Sequence, residues 1–215
     1  LVLSVYYERE KYSFTVSVNG EDTVTEVYYD ADIAPLADPE VTGYSFKGWD
    51  VTAPAKMPNK DVKITARLVI NQYTITFDTV GGSTVRAIKQ DYNTPIVKPA
   101  DPTKTGYTFA GWDKEIPETM PAENMTITAQ WTVNQYTISF AETGDSTIAD
   151  ITADYGSTVV APADPTKEAT ASTVYTFAGW ATSETGTVAY SNQQSVSNLS
   201  STQGATVQLY AKWNS

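Results

Sequence analysis

The sequence predicts a mostly β protein, built as tandem small β-grasp-like modules in an elongated array. Each module is expected to be a mixed four-stranded sheet whose helix is reduced or absent. Three observations carry this. Hydrophobic residues make up 41% and charged residues 18% of the 215, enough apolar material for packed cores, and 12% are aromatic, with 14 Tyr and 5 Trp. Such residues favour a pleated, half-buried surface over a helix. Signature residues recur at a fixed interval: Asp38–Pro39, Asp101–Pro102 and Asp164–Pro165 are 63 residues apart, as are Tyr29, Tyr92 and Tyr155. Within one interval, apolar side chains alternate with polar ones between Gly- and Pro-rich breaks, the pattern of strands with one buried face.

The copy from Tyr73 to Trp131 shows each element in order. Tyr73, Ile75 and Phe77 alternate with Thr74, Thr76 and Asp78, which predicts a first strand. Gly81–Gly82 supplies a turn, and Val85 to Tyr92 is expected to return as a second strand. From Asn93 to Gly106 the chain carries Pro95, Pro99 and Pro102, which remove backbone donors and bias their predecessors to extended geometry. An irregular crossover is predicted there. Tyr107 to Trp112 is a third strand, and Met125 to Trp131 a last one. Strict alternation would put Trp112 opposite Phe109, and a bulge at Gly111 would bring it back to the same face. A parallel pairing of first and last strands is the expected centre of each sheet. It places the two ends of a module far apart, so copies would extend end to end.

The copies are unequal. Tyr44-Ser-Phe-Lys-Gly-Trp49 returns as Tyr107-Thr-Phe-Ala-Gly-Trp112 and Tyr175-Thr-Phe-Ala-Gly-Trp180. The first copy turns at Asn19–Gly20 with two residues fewer, and has Leu68 where the second has Trp131. The third gains five residues between Lys167 and Tyr175 and fourteen more between Trp180 and Trp213, insertions expected in surface loops. Residues 1–7 align with the last strand of a copy. The predicted layout is therefore 1–7 as the end of a truncated preceding repeat, then repeats at 8–70, 71–133 and 134–215, in a piece cut from a longer protein. Only Val69 to Gln72 and Thr132 to Gln135 separate the predicted strands of neighbouring copies. Four residues reach at most ~14 Å, so neighbours should touch.

The net charge of -11 argues against a nucleic-acid partner, whose phosphates attract Lys and Arg clusters. No apolar run of ~18 residues is present, so no membrane insertion is expected. With neither Cys nor His in the sequence, disulfides, common zinc sites, cysteine nucleophiles and serine triads are excluded.

The run Tyr73-Thr-Ile-Thr-Phe-Asp-Thr, with Gly81–Gly82, Pro99-Ala-Asp-Pro-Thr-Lys-Thr-Gly-Tyr-Thr-Phe-Ala-Gly-Trp112 and the closing Leu209-Tyr-Ala-Lys-Trp213, resembles the internalin B-repeat, or Listeria–Bacteroides repeat. The resemblance covers nearly the whole chain. It implies a secreted protein of the bacterial cell surface and cell wall, and a β-grasp-like structural repeat acting as a stalk or spacer in adhesion. It implies no enzyme and no cofactor. A host surface protein or glycan is the partner left open, through the third repeat, with Tyr190 in its insertion, or through an exposed sheet edge. A monomeric stalk is otherwise expected. Leu68 in place of the terminal Trp, and the missing Gly before Tyr175, depart from the pattern.

The residues that invite chemistry have plainer readings. Trp49, Trp112, Trp131, Trp180 and Trp213 suit glycan platforms, but their fixed strand positions favour core packing. Asp30 with Asp32, and Asp150 with Asp154, lack the ligand spacing of a calcium loop and read as solvated acidic loops. Asp38, Asp101 and Asp164 precede Pro and are expected to cap turns. Lys104 and Lys167 recur beside Pro-Thr, where an isopeptide crosslink is a lesser reading than an exposed turn. Ser195 and Ser200 sit in a polar loop without a catalytic partner. Catalytic, cofactor and metal residues are accordingly expected to be none.

Overall fold

The computed structural model describes residues 8–215, so the predicted end of a preceding repeat at 1–7 lies outside the described residues. Strands are β1 (Lys11–Val18), β2 (Glu21–Tyr28), β3 (Tyr44–Trp49), β4 (Val62–Ile70), β5 (Gln72–Asp78), β6 (Ile88–Asp91), β7 (Tyr107–Trp112), β8 (Met125–Val133), β9 (Gln135–Ala141), β10 (Ile151–Asp154), β11 (Thr158–Val159), β12 (Thr176–Ala181), β13 (Val196–Ser197) and β14 (Ala205–Asn214). No helix occurs among the described residues.

Three four-stranded sheets repeat one topology, in the orders β2-β1-β4-β3, β6-β5-β8-β7 and β10-β9-β14-β12. The predicted parallel centre is present. Phe14 stands opposite Val62 in the β1–β4 pair, and Tyr136 opposite Ala205 in the β9–β14 pair, with antiparallel strands on both flanks. A parallel first-to-last pairing needs a long crossover. The Pro-rich segment serves as that crossover without forming a helix, and short backbone bridges tether it. In the first repeat Asp30 N–H donates to the Met57 carbonyl and Met57 N–H to that of Ala31; in the second, Asn93 and Met120 do the same with Met120 and Thr94.

Each buried face follows the period-2 pattern. Phe14, Met57 and Ile64 form the first core, with Tyr12, Val16, Leu36 and Trp49 packed against them. Ile75, Phe77, Ile116, Met120, Ile127 and Ala129 are the buried apolar residues of the second repeat. Tyr136, Ile138, Ala153, Val159, Trp180, Leu209 and Ala211 form the third. Burying one such side chain contributes about 1.5–3 kcal/mol, so a handful supports a small module.

The predicted bulge is present in all three copies. Phe109 pairs with Trp131 and Gly111 with Gln130, leaving Ala110 unmatched, and the register shifts likewise between Phe46 and Trp49 and between Phe177 and Gly179. Gly111 has φ 116°, a region closed to most L residues. Trp112 thereby returns to the Phe109 face, with ring centroids 5.3 Å apart at 72°.

Three expectations change. The second strand of repeat 2 begins at Ile88 and not Val85, because residues 79–87 form a wide turn. In repeat 1 the tight Asn19–Gly20 turn keeps β1 and β2 paired from Lys11–Tyr28 to Val18–Glu21. The gaps between copies shrink from four residues to one, since β4 and β8 continue through Ile70 and Val133. The fourteen-residue insertion is no free loop: its β13 pairs with β11, and Tyr190 packs on the third core.

Two compact units can be delimited. One runs through residue 76 and takes in Ala87–Lys98 and Ile116–Thr126; the other comprises Phe77–Arg86, Pro99–Glu115 and Ile127–Ser215. The junction of the first two repeats lies wholly in the first unit, and that of the last two wholly in the second.

Candidate functional site: the single-asparagine joint

One residue, Asn71 or Asn134, separates the last strand of a repeat from the first strand of the next. Its backbone faces both ways. Asn71 N–H donates to the Gly43 carbonyl behind it, 2.9 Å, and its own carbonyl accepts from Tyr92 N–H ahead, 2.9 Å. Asn134 N–H donates to the Gly106 carbonyl at 2.9 Å, and its carbonyl accepts from Tyr155 N–H at 2.8 Å. The side chain repeats the division of labour. Its oxygen accepts from the Ser45 or Thr108 hydroxyl of the preceding repeat, each at 2.6 Å. Its amide donates into the following repeat, from Asn71 to the Tyr73 hydroxyl at 3.4 Å and from Asn134 to the Ser201 carbonyl at 2.8 Å. Asn suits this place because its short, planar amide carries both a donor and an acceptor.

A glycine and a tyrosine complete the joint. Gly43, with φ 78°, is the third residue of a turn closed by Tyr44 N–H on the Val41 carbonyl, and Gly106, with φ 76°, plays the same part between Lys104 and Tyr107. These are type II turns, whose third position requires positive φ. The glycines are buried against the next repeat: a Cβ on Gly43 would stand 2.0 Å from a ring carbon of Tyr92, and one on Gly106 2.0 Å from a ring carbon of Tyr155. The rings then meet edge to face, Tyr44 with Tyr92 at 6.2 Å and Tyr107 with Tyr155 at 6.3 Å.

A second constellation lies within repeats 2 and 3. The Trp131 indole N–H donates to the Thr79 carbonyl, 3.0 Å, and Trp213 to that of Glu142, 3.0 Å, so each ring closes over the wide turn after the first strand. Lys104 Nζ sits 4.4 Å from the Tyr107 ring centre and 5.8 Å from that of Trp131, and Lys167 holds the same distances to Tyr175 and Trp213. Cation–π attraction of this kind contributes about 0.5–2 kcal/mol. Lys104 also donates to the Val80 carbonyl at 2.9 Å, which places its ammonium on a backbone oxygen and aromatic faces. In repeat 1, Leu68, Val41 and the short turn replace Trp, Lys and the wide turn together. The departure at Leu68 is therefore one of three coupled changes.

The remaining sequence-level candidates fall as follows. Lys56 lies 3.7 Å from Asp30 and 3.3 Å from Asp32, an exposed ion pair that raises the Lys56 pKa through its bond to Asp32. Among the described residues no group of His, Cys, Asp or Glu is arranged to hold a metal ion. Asp38, Asp101 and Asp164 do not cap turns: the first two are exposed, and Asp164 accepts from Asn192 of the insertion. Trp180 is buried, at 2% exposure, beneath Tyr190, while the other four Trp are half-buried against Phe partners. Tyr190 is thus a covering residue of the core and not a free platform. The Asn joint was missed by sequence reasoning, although Asn71 and Asn134 stand 63 residues apart and each sits two residues before a predicted strand.

Sheet topology, bulge and joint define a tandem β-repeat protein. The chain belongs to the Listeria-Bacteroides repeat domain family, whose model matches residues 12–66, 73–130 and 136–212. It is 32% identical over 234 residues to a protein named "Putative membrane protein" from Evansella cellulosilytica, covering 100% of this chain and 33% of that one. A second protein of that organism, "Putative Gly-rich membrane protein", is 33% identical, with 80% of this chain and 21% of its own length covered. Internalin H of Listeria monocytogenes is 36% identical over 143 residues, 58% of this chain and 26% of the internalin. The chain spans a third or less of the length of each.

Proposed function

We propose that these repeats form a structural spacer in a bacterial surface protein, a stalk that sets the position of other domains in adhesion. The observation that carries this reading is the one-residue joint. Two backbone hydrogen bonds, a shared Asn side chain and a buried Gly–Tyr contact hold neighbouring repeats in one register. A flexible linker would offer none of these, because an unconstrained joint leaves its backbone groups to water. Membership of a repeat family that also occurs in internalin H and in proteins named as membrane proteins supports a place at the cell surface.

The spacer is non-enzymatic in this reading. The sequence has no His or Cys, and of the carboxylates singled out in it Asp30 and Asp32 pair with Lys56, Asp154 in β10 accepts from Gln135, and Asp164 accepts from Asn192. Small-angle scattering tests the proposal. Adding one further copy of repeat 2 inside the chain should lengthen the maximum dimension by a constant increment, and a compact particle whose dimension barely grows would contradict it.

One observation favours a second reading, strand addition of a host protein to an open edge. Strand β2 lies at the edge of the first sheet, and seven of its eight residues are exposed. Titration with host matrix proteins separates the readings, since a pure spacer binds none.

A further inference from the structure

The joint has a leading side, made by the Tyr and Asn of one repeat, and a trailing side, made by the Gly-containing turn of the repeat before it. We propose that the third repeat closes the docked series: no further module seats on its trailing side through the joint used at Asn71 and Asn134. This rests on the joint geometry and not on the spacer role.

The third sheet carries the partners of the joint up to its last step. Thr176 pairs with Asn214 and Phe177 with Trp213, matching Thr108 with Thr132 and Phe109 with Trp131. Lys167 lies over Tyr175 at 4.4 Å, as Lys104 lies over Tyr107 at 4.4 Å. Thr176 also keeps the hydroxyl that Thr108 gives to Asn134. What differs is the turn. Val174 stands where Gly43 and Gly106 stand, and its backbone is outside the positive-φ region that both glycines occupy. The five inserted residues rebuild the approach as a separate turn, with Thr170 and Thr173 exchanging backbone hydrogen bonds. Val174 itself is 71% exposed.

Two physical consequences follow. A side chain at this position would enter the space of the next repeat's Tyr ring, since even a Cβ there stands 2.0–2.6 Å from three ring carbons of Tyr92 or 2.0–2.4 Å from three of Tyr155. Without positive φ, the carbonyl that accepts from the joint Asn N–H is also not presented by a type II turn. The partner that this family of joints accepts is a repeat behind a Gly-Tyr turn, and repeat 3 does not offer one.

The test uses the full chain followed directly by a second run of residues 134–215. Ser215 then precedes Asn just as Val133 precedes Asn134, so the spacing from Trp213 equals that from Trp131. Amide hydrogen exchange is read at the joint Asn of the added run, with Asn71 and Asn134 as internal standards. The added joint should exchange on the order of tenfold or more faster than Asn134. Deleting Glu168–Ser172 together with Val174→Gly restores Lys-Thr-Gly-Tyr, the run at Lys104–Tyr107. In that variant the added joint should be protected to the level of Asn134. Equal protection with Val174 in place would overturn the proposal. So would an unprotected joint in the restored variant while the strand amides of both flanking sheets remain protected.

Discussion

The α-carbon of Gly106 lies against the ring of Tyr155 so closely that a methyl group built on it would stand 2.0 Å from one ring carbon and 2.2 Å from the next. The residues belong to different repeats and are linked through Asn134, which bonds to both backbones. Gly43 and Tyr92 repeat the relationship through Asn71. Glycine here answers two demands at once, positive φ and the absence of a side chain.

Gly106→Ala should therefore lower stability by about 1–3 kcal/mol, combining left-handed strain with displacement of the ring. Adding Tyr155→Ala to this variant should recover the part due to the ring and leave the backbone part. Urea unfolding of the two single variants and the double variant measures it. Strict additivity would mean that Gly106 and Tyr155 do not interact.

Asn134→Ala removes the acceptor of Thr108 and the donor to Ser201 at a site only 8% exposed. Leaving such groups unpaired costs about 1–3 kcal/mol. Asn71→Ala should cost less, because Asn71 is more open and its donor contact, to the Tyr73 hydroxyl, is long at 3.4 Å. Parallel denaturation curves give the order, and a reversed order would contradict the assignment.

Trp131→Leu should destabilise by about 1.5–3 kcal/mol through lost burial, and release Lys104 from one of its rings. The reverse change, Leu68→Trp in the first repeat, should not stabilise, because the short Asn19–Gly20 turn gives the indole no wide turn to close. Extending that turn by two residues should turn the same substitution stabilising. Thermal unfolding of these variants would show it, and a gain from Leu68→Trp alone would contradict the coupling.

Acid should weaken a contact in the first repeat. The Asp50 carboxylate accepts from Thr65 N–H at 2.7 Å and Val51 N–H at 2.9 Å, and these bonds, led by Thr65, hold its pKa below the usual carboxylate range. A carboxyl whose folded pKa is depressed adds stability that is present above the unfolded pKa and lost as pH falls through the folded one. The stability difference between the wild type and Asp50→Ala should be constant near neutrality and shrink below about pH 4. A difference that does not change with pH would show that the carboxylate charge is not involved.

Much of the sheet was legible because its causes are local. Tyr73, Ile75 and Phe77 declare a buried face, and Gly111 before Trp112 declares a bulge, since few other residues accept φ 116°. The joint was not legible as a joint. Thr132 and Val133 read as linker, yet they extend β8 because β7 runs alongside and Tyr107 and Thr108 pair with them. The function of Asn134 arises from groups 26 and 67 residues away in sequence, Thr108 and Ser201. The insertion read as a loop for the same reason: its polar residues conceal that Tyr190 pairs across to Trp180, whose amide donates to the Tyr190 carbonyl at 2.8 Å.

Neighbouring repeats are seated on one another through Asn, Gly and Tyr. The most direct measurement is the proton chemical shift of the α-hydrogens of Gly43 and Gly106 in the intact chain. Each glycine should show one α-proton moved strongly upfield by the ring of Tyr92 or Tyr155, and the shift should vanish in Tyr92→Ala or Tyr155→Ala. Two ordinary, solvent-like α-proton shifts at both glycines would contradict this seating of one repeat on the next.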